Sequence, residues 1–112
     1  MFNVSLITKN RAKGVKYFPP AITGLHLVAN SDTEVMLAWD EVITRVDEKY
    51  YVSTTGAAVV NEETLSNSIT ILLPDGWVFD TLDVAVTVYN STYNSFGAQE
   101  QLAVHEGDIP PP

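Results

Sequence analysis

The sequence predicts a single all-β domain in which two sheets pack face to face. Short runs of alternating apolar and polar residues recur along the chain, and turn-forming residues separate them at the spacing that a β-sandwich needs. No window combines a 3.6-residue apolar period with helix-capping residues, so we expect no helix beyond a turn. The length of 112 residues suits one hydrophobic core.

The alternating runs show which side chains should share a face. Val35, Leu37 and Trp39 fall on one side of a predicted strand, and Trp39 is therefore expected in the core. The longest run places four apolar residues on one face, namely Leu82, Val84, Val86 and Val88. Further strands are predicted at 25–27, 50–52, 69–73 and 102–104, with 57–60 as a candidate short edge strand and 61–67 as a polar loop.

The first 18 residues are predicted to form an extended arm that precedes the sandwich. Phe2, Val4 and Leu6 alternate with polar residues as in a short strand, and a solvated connection follows. Pro19 and Pro20 then fix an extended backbone and cannot donate to a sheet. We therefore place the sandwich at 19–106 and a proline-rich C-terminal tail at 107–112.

Charge is distributed unevenly along the chain. Residues 1–31 hold no acidic residue, whereas all 14 acidic residues follow from Asp32 onward, against only Arg45 and Lys49, and the net charge is −8. The basic residues of the arm are Lys9, Arg11, Lys13 and Lys16. A basic arm thus precedes an acidic body. Because that body would repel a polyanion and no aromatics interleave the basic residues, we expect no nucleic-acid partner.

Composition narrows the remaining function classes. Cysteine is absent, which removes disulfides, thiolate nucleophiles and sulfur-based metal sites. Residues 1–16 hold no apolar stretch that would serve as a signal peptide, and no run is long enough for a membrane span. We therefore expect synthesis in a cytoplasm and no membrane partner.

The order of these residues resembles the fibronectin type III pattern over about 19–106. Val35-x-Leu37-x-Trp39 resembles its second strand with the core tryptophan, and Val84-x-Val86-x-Val88-x-Asn90 resembles its sixth. Leu73-Pro74 fits the turn after the fifth strand, and 95–104 fits the last hairpin. The resemblance implies a fibronectin type III or immunoglobulin-like two-sheet sandwich. The pattern departs at Leu82, where the family usually has a corner tyrosine, and Trp77 or Phe79 is the candidate to fill that corner.

No residue cluster predicts catalysis, a cofactor or a metal. His26 and His105 lie in different predicted strands at outward-facing positions, and no serine sits in a nucleophile motif. Four acids flank one loop but match no calcium-loop spacing, so we interpret them as solvated acids: Asp40, Glu41, Asp47 and Glu48. We expect a protein that is not an enzyme.

Three aromatic residues lie in and beside the last hairpin, namely Tyr89, Tyr93 and Phe96. Sandwich proteins often bind partners through loops held by a rigid scaffold. Packing at a corner of the fold is an equal interpretation of these residues.

The sequence therefore predicts a structural or binding protein whose arm docks on a protein assembly or on copies of itself. The predicted partner-binding residues are Phe2, Val4, Leu6, Lys9, Arg11, Lys13 and Lys16. The leading expectation is an accessory subunit of a bacteriophage virion, at the capsid, neck or tail. The alternative is a fibronectin type III binding or spacer module excised from a larger extracellular protein or carbohydrate-active enzyme. The sequence leaves open whether the chain is a self-standing product.

Overall fold

Eight strands form within residues 17–111, the part of the chain that the computed structural model describes. They are β1 (His26–Asn30), β2 (Glu34–Ala38), β3 (Glu48–Gly56), β4 (Val60–Thr64), β5 (Ser68–Leu72), β6 (Thr81–Asn90), β7 (Ser95–Phe96) and β8 (Glu100–His105). The helical content of this range is a single 3₁₀ turn, Val78–Asp80. The predicted all-β class is confirmed.

The strands divide into two antiparallel sheets. The first sheet has the order β1-β2-β5, and the second has the order β4-β3-β6-β7, with β8 also paired to β6. This arrangement confirms the predicted two-sheet sandwich of the fibronectin type III kind.

The core lies between the sheets and follows the predicted alternation. Val35 and Leu37 of the first sheet are fully buried, as are the inward residues of β6, which are Leu82, Val84, Val86 and Val88. Trp39 is 2% exposed and meets Tyr50 edge to face, with ring centroids 5.4 Å apart. Such aromatic pairs add to the burial of apolar area. The alternation of apolar and polar residues in the sequence therefore identified the core face of β2 and β6.

The pairing of β3 with β6 is the longest in the fold. Nine residue pairs run from Glu48 opposite Asn90 to Gly56 opposite Leu82. At the far end, Gly56 has φ +92°, and a Cβ atom there would lie 2.6 Å from the Thr81 carbonyl oxygen. Glycine is needed at this position because both the positive φ and the close backbone approach exclude a side chain.

The prediction for residues 57–67 was wrong in its limits. Residues 61–64, expected in a polar loop, lie in β4, which pairs with β3 from Val60 opposite Thr54 to Thr64 opposite Tyr50. Ala57, placed in the candidate edge strand, instead precedes β4 and is buried against the core. An edge strand does not need a buried side, so Asn61, Glu62 and Glu63 are all exposed and show no alternation.

Trp77 is the corner candidate that lies against the core, whereas Phe79 does not. Leu82 is fully buried, while Trp77 packs on the core and donates its indole Nε1 to the Ser31 carbonyl at 3.0 Å. Phe79 is 80% exposed with φ 65° and takes no part. The Trp77 side chain is therefore held both by apolar packing and by a hydrogen bond.

Replacing Trp39 with alanine is expected to destabilise the domain by about 3–5 kcal/mol, because the substitution removes a large buried side chain and leaves a cavity. Phe18→Ala is the matched control, since Phe18 is 75% exposed and its loss should change stability by less than about 0.5 kcal/mol. Urea unfolding measures both. Equal losses for the two variants would contradict the central position of Trp39.

Candidate functional site

The seven residues predicted to bind a partner all lie outside the described residues. Phe2, Val4, Leu6, Lys9, Arg11, Lys13 and Lys16 precede Tyr17, where the description begins. The structure does show the place from which the arm departs. We call Tyr17–Pro20 the arm root.

The arm root is joined to the body through a buried carboxylate. The hydroxyl of Tyr17 donates to Glu48 Oε2 at 2.6 Å, and Asn90 Nδ2 donates to the same oxygen at 3.0 Å. Glu48 is only 1% exposed, and its Oε1 has no hydrogen-bond partner among the described residues. The interpretation of Glu48 as a solvated acid was therefore wrong, because tyrosine and asparagine side chains that are distant in sequence cover it.

An arginine closes the arm root from the solvent side. Arg45 lies 4.9 Å from the ring centroid of Tyr17 and 5.9 Å from that of Tyr93, and the two rings are themselves 4.9 Å apart. Its guanidinium also donates twice to Asp47, at 2.9 and 3.0 Å. A planar guanidinium suits both stacking on aromatic rings and a forked contact with a carboxylate.

The titration of this cluster is shifted by its hydrogen bonds. The bonds from Arg45, and next the contact with Thr92, hold the pKa of Asp47 well below its usual range. The hydrogen bond to Glu48 raises the pKa of Tyr17 above its ordinary value. At neutral pH the cluster therefore presents an ionised Arg45–Asp47 pair beside a neutral Tyr17 hydroxyl.

Backbone contacts hold the rest of the arm root. A Cβ atom on Gly97 would lie 2.5 Å from the Pro20 carbonyl oxygen and 2.7 Å from that of Pro19, so only glycine permits this crossing. Just beyond, the Ile22 amide donates to the Ala98 carbonyl at 3.1 Å. The arm therefore leaves the sandwich at a fixed place, beside the loops that end β6 and precede β3.

The other acids of the predicted loop each have a separate partner. Glu41 accepts the Tyr50 hydroxyl at 2.6 Å, and Asp40 accepts the Thr23 hydroxyl at 2.8 Å. Across 17–111, no group of three or more histidine or acidic side chains is arranged to hold a metal ion. Asp40 and Glu41 are exposed, as expected of solvated acids.

The two histidines make only local contacts. His26 Nδ1 lies 2.6 Å from the Gly24 carbonyl oxygen, and His105 Nδ1 lies 3.6 Å from Asp108 Oδ2. Within the described range, neither imidazole makes a hydrogen bond with a serine or threonine hydroxyl. The described residues thus offer no evidence of catalysis.

The aromatic residues near the last hairpin divide between two surfaces. Tyr93 packs against Tyr17 at the arm root, whereas Tyr89 and Phe96 lie on the outer face of the second sheet with ring centroids 4.9 Å apart. Tyr51 joins this face, 6.0 Å from Phe96. Packing accounts for Tyr93, while Phe96 remains 54% exposed.

A groove that the sequence did not predict opens between the free edges of the two sheets. We call it the edge groove; it has a volume of about 560 Å³ and lies between β4 and β5. Val59, Leu72 and Val78 line it and are 73%, 64% and 38% exposed. Sequence reasoning missed the groove because β4 was not recognised as a strand.

Among residues 17–111 there is no helix with the length and apolar character needed to cross a membrane.

Comparisons with known proteins support the fold and do not extend to a family. No protein-family model matches the sequence. A search of curated proteins finds no match either.

Solved structures do match. Domains d3–d4 of the rat CD45 extracellular region are similar, with a TM-score of 0.63 and 13% identity over 80% of this chain and 50% of that one. The spore cortex lytic enzyme SleM of Clostridium perfringens matches with a TM-score of 0.54 and 16% identity over 79% of this chain and 28% of that one. This chain thus spans half or less of these two structures, and identities this low support the fold alone.

Replacing Asn90 with alanine is expected to destabilise the domain by about 1–3 kcal/mol, because the buried Glu48 carboxylate loses a donor. Asn61→Ala is the control, since Asn61 only accepts an exposed hydroxyl from Tyr51, and its loss should cost less than about 0.5 kcal/mol. Chemical unfolding at neutral pH measures the difference. If both variants were equally stable, Glu48 would not depend on its covering side chains.

Proposed function

We propose that this chain is a non-enzymatic structural or binding module that docks on a larger protein assembly through its N-terminal arm. The observation that carries the proposal is the arm root. Tyr17 is fixed between Arg45, Tyr93 and the buried Glu48, so the arm starts from a rigid platform. A rigid starting point reduces the entropy that the arm loses when it binds.

Charge supports the same role. The four basic residues of the arm precede a body that holds all 14 acidic residues. Basic side chains are attracted to acidic protein surfaces, and this attraction speeds association. The alternating Phe2, Val4 and Leu6 add apolar side chains suited to strand addition at an exposed sheet edge.

Two kinds of larger assembly are candidates for the partner of this module. In one, the chain is the accessory subunit of a bacteriophage particle, bound to capsid, neck or tail subunits, which follows from the small sandwich with a charged arm. In the other, it is a binding or spacer module within a larger extracellular protein or carbohydrate-active enzyme. The similar structures are compatible with this second candidate, because the matched parts of the CD45 region and of the lytic enzyme are segments of longer chains, but identities this low do not separate the two settings.

Reversing the charge of the arm is expected to abolish docking without unfolding the sandwich. The variant replaces Lys9, Arg11, Lys13 and Lys16 with glutamate and is compared with wild type by cosedimentation. The binding targets are purified phage particles for the first setting and cell-surface fractions for the second, both prepared from the organism that encodes the chain. Wild-type binding should weaken with added salt, because the screening length falls from about 10 Å at 0.1 M to about 3 Å at 1 M.

The control is Lys49→Glu, which reverses a basic residue of the body that pairs with Glu63 outside the arm root and therefore leaves the arm and its root intact. Circular dichroism verifies that each variant is folded. Equal binding by wild type and arm variant, with the same salt dependence, would contradict docking through the arm.

A further inference from the structure

We propose that the edge groove receives the N-terminal arm of a second copy of this chain, which adds a strand to β4. The inference rests on the proposed docking role of the arm and names its receptor. In this arrangement 2–8 of one molecule pair with the free edge of β4 in the other. Two molecules that exchange arms form a closed, two-fold symmetric dimer.

The edge of β4 is open for such a strand. β4 pairs with β3 on one side, and within 17–111 no strand pairs with its other side. An unpaired edge presents a row of backbone donors and acceptors to another chain. The β5 strand across the groove likewise pairs only with β2 among the described strands.

The groove also has the side chains that an alternating strand would need. Val60 and Glu62 stand opposite Thr54 and Val52 of β3, whose side chains face the core. They therefore lie on the inward side of β4, toward the groove. A strand added there would direct Phe2, Val4 and Leu6 toward the groove, whose apolar lining includes Val60, Ile71 and Val78. Apolar side chains would then cover surface that is otherwise exposed.

The acidic lining of the groove favours the basic arm over a second β4 strand as the added strand. Glu62 and Asp75 line the groove, and no basic residue lines it. The Glu62 side chain makes no hydrogen bond or ion pair with any described residue. Charged side chains on an edge commonly prevent sheets from aggregating. Here the acids would repel a second β4, yet they would attract a strand that is followed by four basic residues.

Direction favours a second copy over the same molecule. The arm root lies beside Glu48, at the end of β3 near Tyr50, and β4 runs toward that same end, finishing opposite Tyr50 at Thr64. An arm returning on its own molecule would therefore run parallel to β4. Antiparallel pairing on the same molecule would require 9–16 to span the length of β3, about 26 Å, which is close to their full extension. Between two molecules, the reach of 9–16 does not prevent antiparallel pairing. Antiparallel pairing is also slightly more stable per residue than parallel pairing.

Disulfide trapping between different variants tests the proposal. The chain has no cysteine, so Val4→Cys and Val59→Cys each introduce a single thiol. The two proteins are mixed and gently oxidised, and the mixed dimer is quantified by mass. Val28→Cys is the matched acceptor control, because Val28 is 40% exposed but lies on β1, in the other sheet and outside the groove.

We expect the mixed disulfide with Val59→Cys well above the level with Val28→Cys. Sedimentation of the cysteine-free protein should show a monomer–dimer equilibrium. Adding Glu62→Lys and Asp75→Lys should raise its dissociation constant about tenfold or more, since like charges would then face each other.

Equal trapping at the two acceptor positions would overturn the proposal. So would a disulfide that forms only within a single molecule carrying both Val4→Cys and Val59→Cys. In either case the cosedimentation experiment still reports whether the arm docks elsewhere, so failure of this receptor site is separable from failure of the docking function.

Discussion

The long antiparallel pairing of β3 with β6 is the constraint on which the rest of the structure depends. Its inward side chains, including Tyr50, Val52 and Val86, are fully buried and form one wall of the core. The same pairing sets Glu48 opposite Asn90 at one end and Gly56 opposite Leu82 at the other. One end thereby becomes the arm root, and the other end becomes the start of the edge groove.

The two ends differ in chemistry because different elements complete them. At the arm root, Tyr17 and Asn90 hydrogen bond to a buried carboxylate, and Arg45 stacks over the exposed side. This end of the sandwich therefore has a polar interior, and its hydrogen bonds hold the arm root in place. At the groove, β4 and β5 diverge without closing the sandwich, and valine and leucine side chains stay exposed beside two acids. The domain thus has a fixed origin for its arm and, separated from it by the length of β3, an open groove with two acids that we propose as the receptor for a strand.

The sequence predicted those parts of the fold in which local pattern and final burial agree. β2 alternates, and β6 does so apart from the buried Thr87, because one side of each strand faces the core; the position of Trp39 follows from the alternation of β2. β4 was not recognised because an edge strand exposes Asn61, Glu62 and Glu63 and leaves no periodic signal. Glu48 was misread because its partners Tyr17 and Asn90 lie 31 and 42 residues away in the chain. The arm residues stay a prediction, and what the structure adds to them is their point of departure and a complementary groove.

The central claim is that the arm acts by adding a strand to an exposed acidic edge. Hydrogen–deuterium exchange of the wild-type protein, measured at low and high protein concentration, tests it most directly. The account predicts that the amides of 2–8 and of β4 gain protection together as concentration rises, while those of β1 do not change. Exchange in β4 that is the same at every concentration would contradict the account.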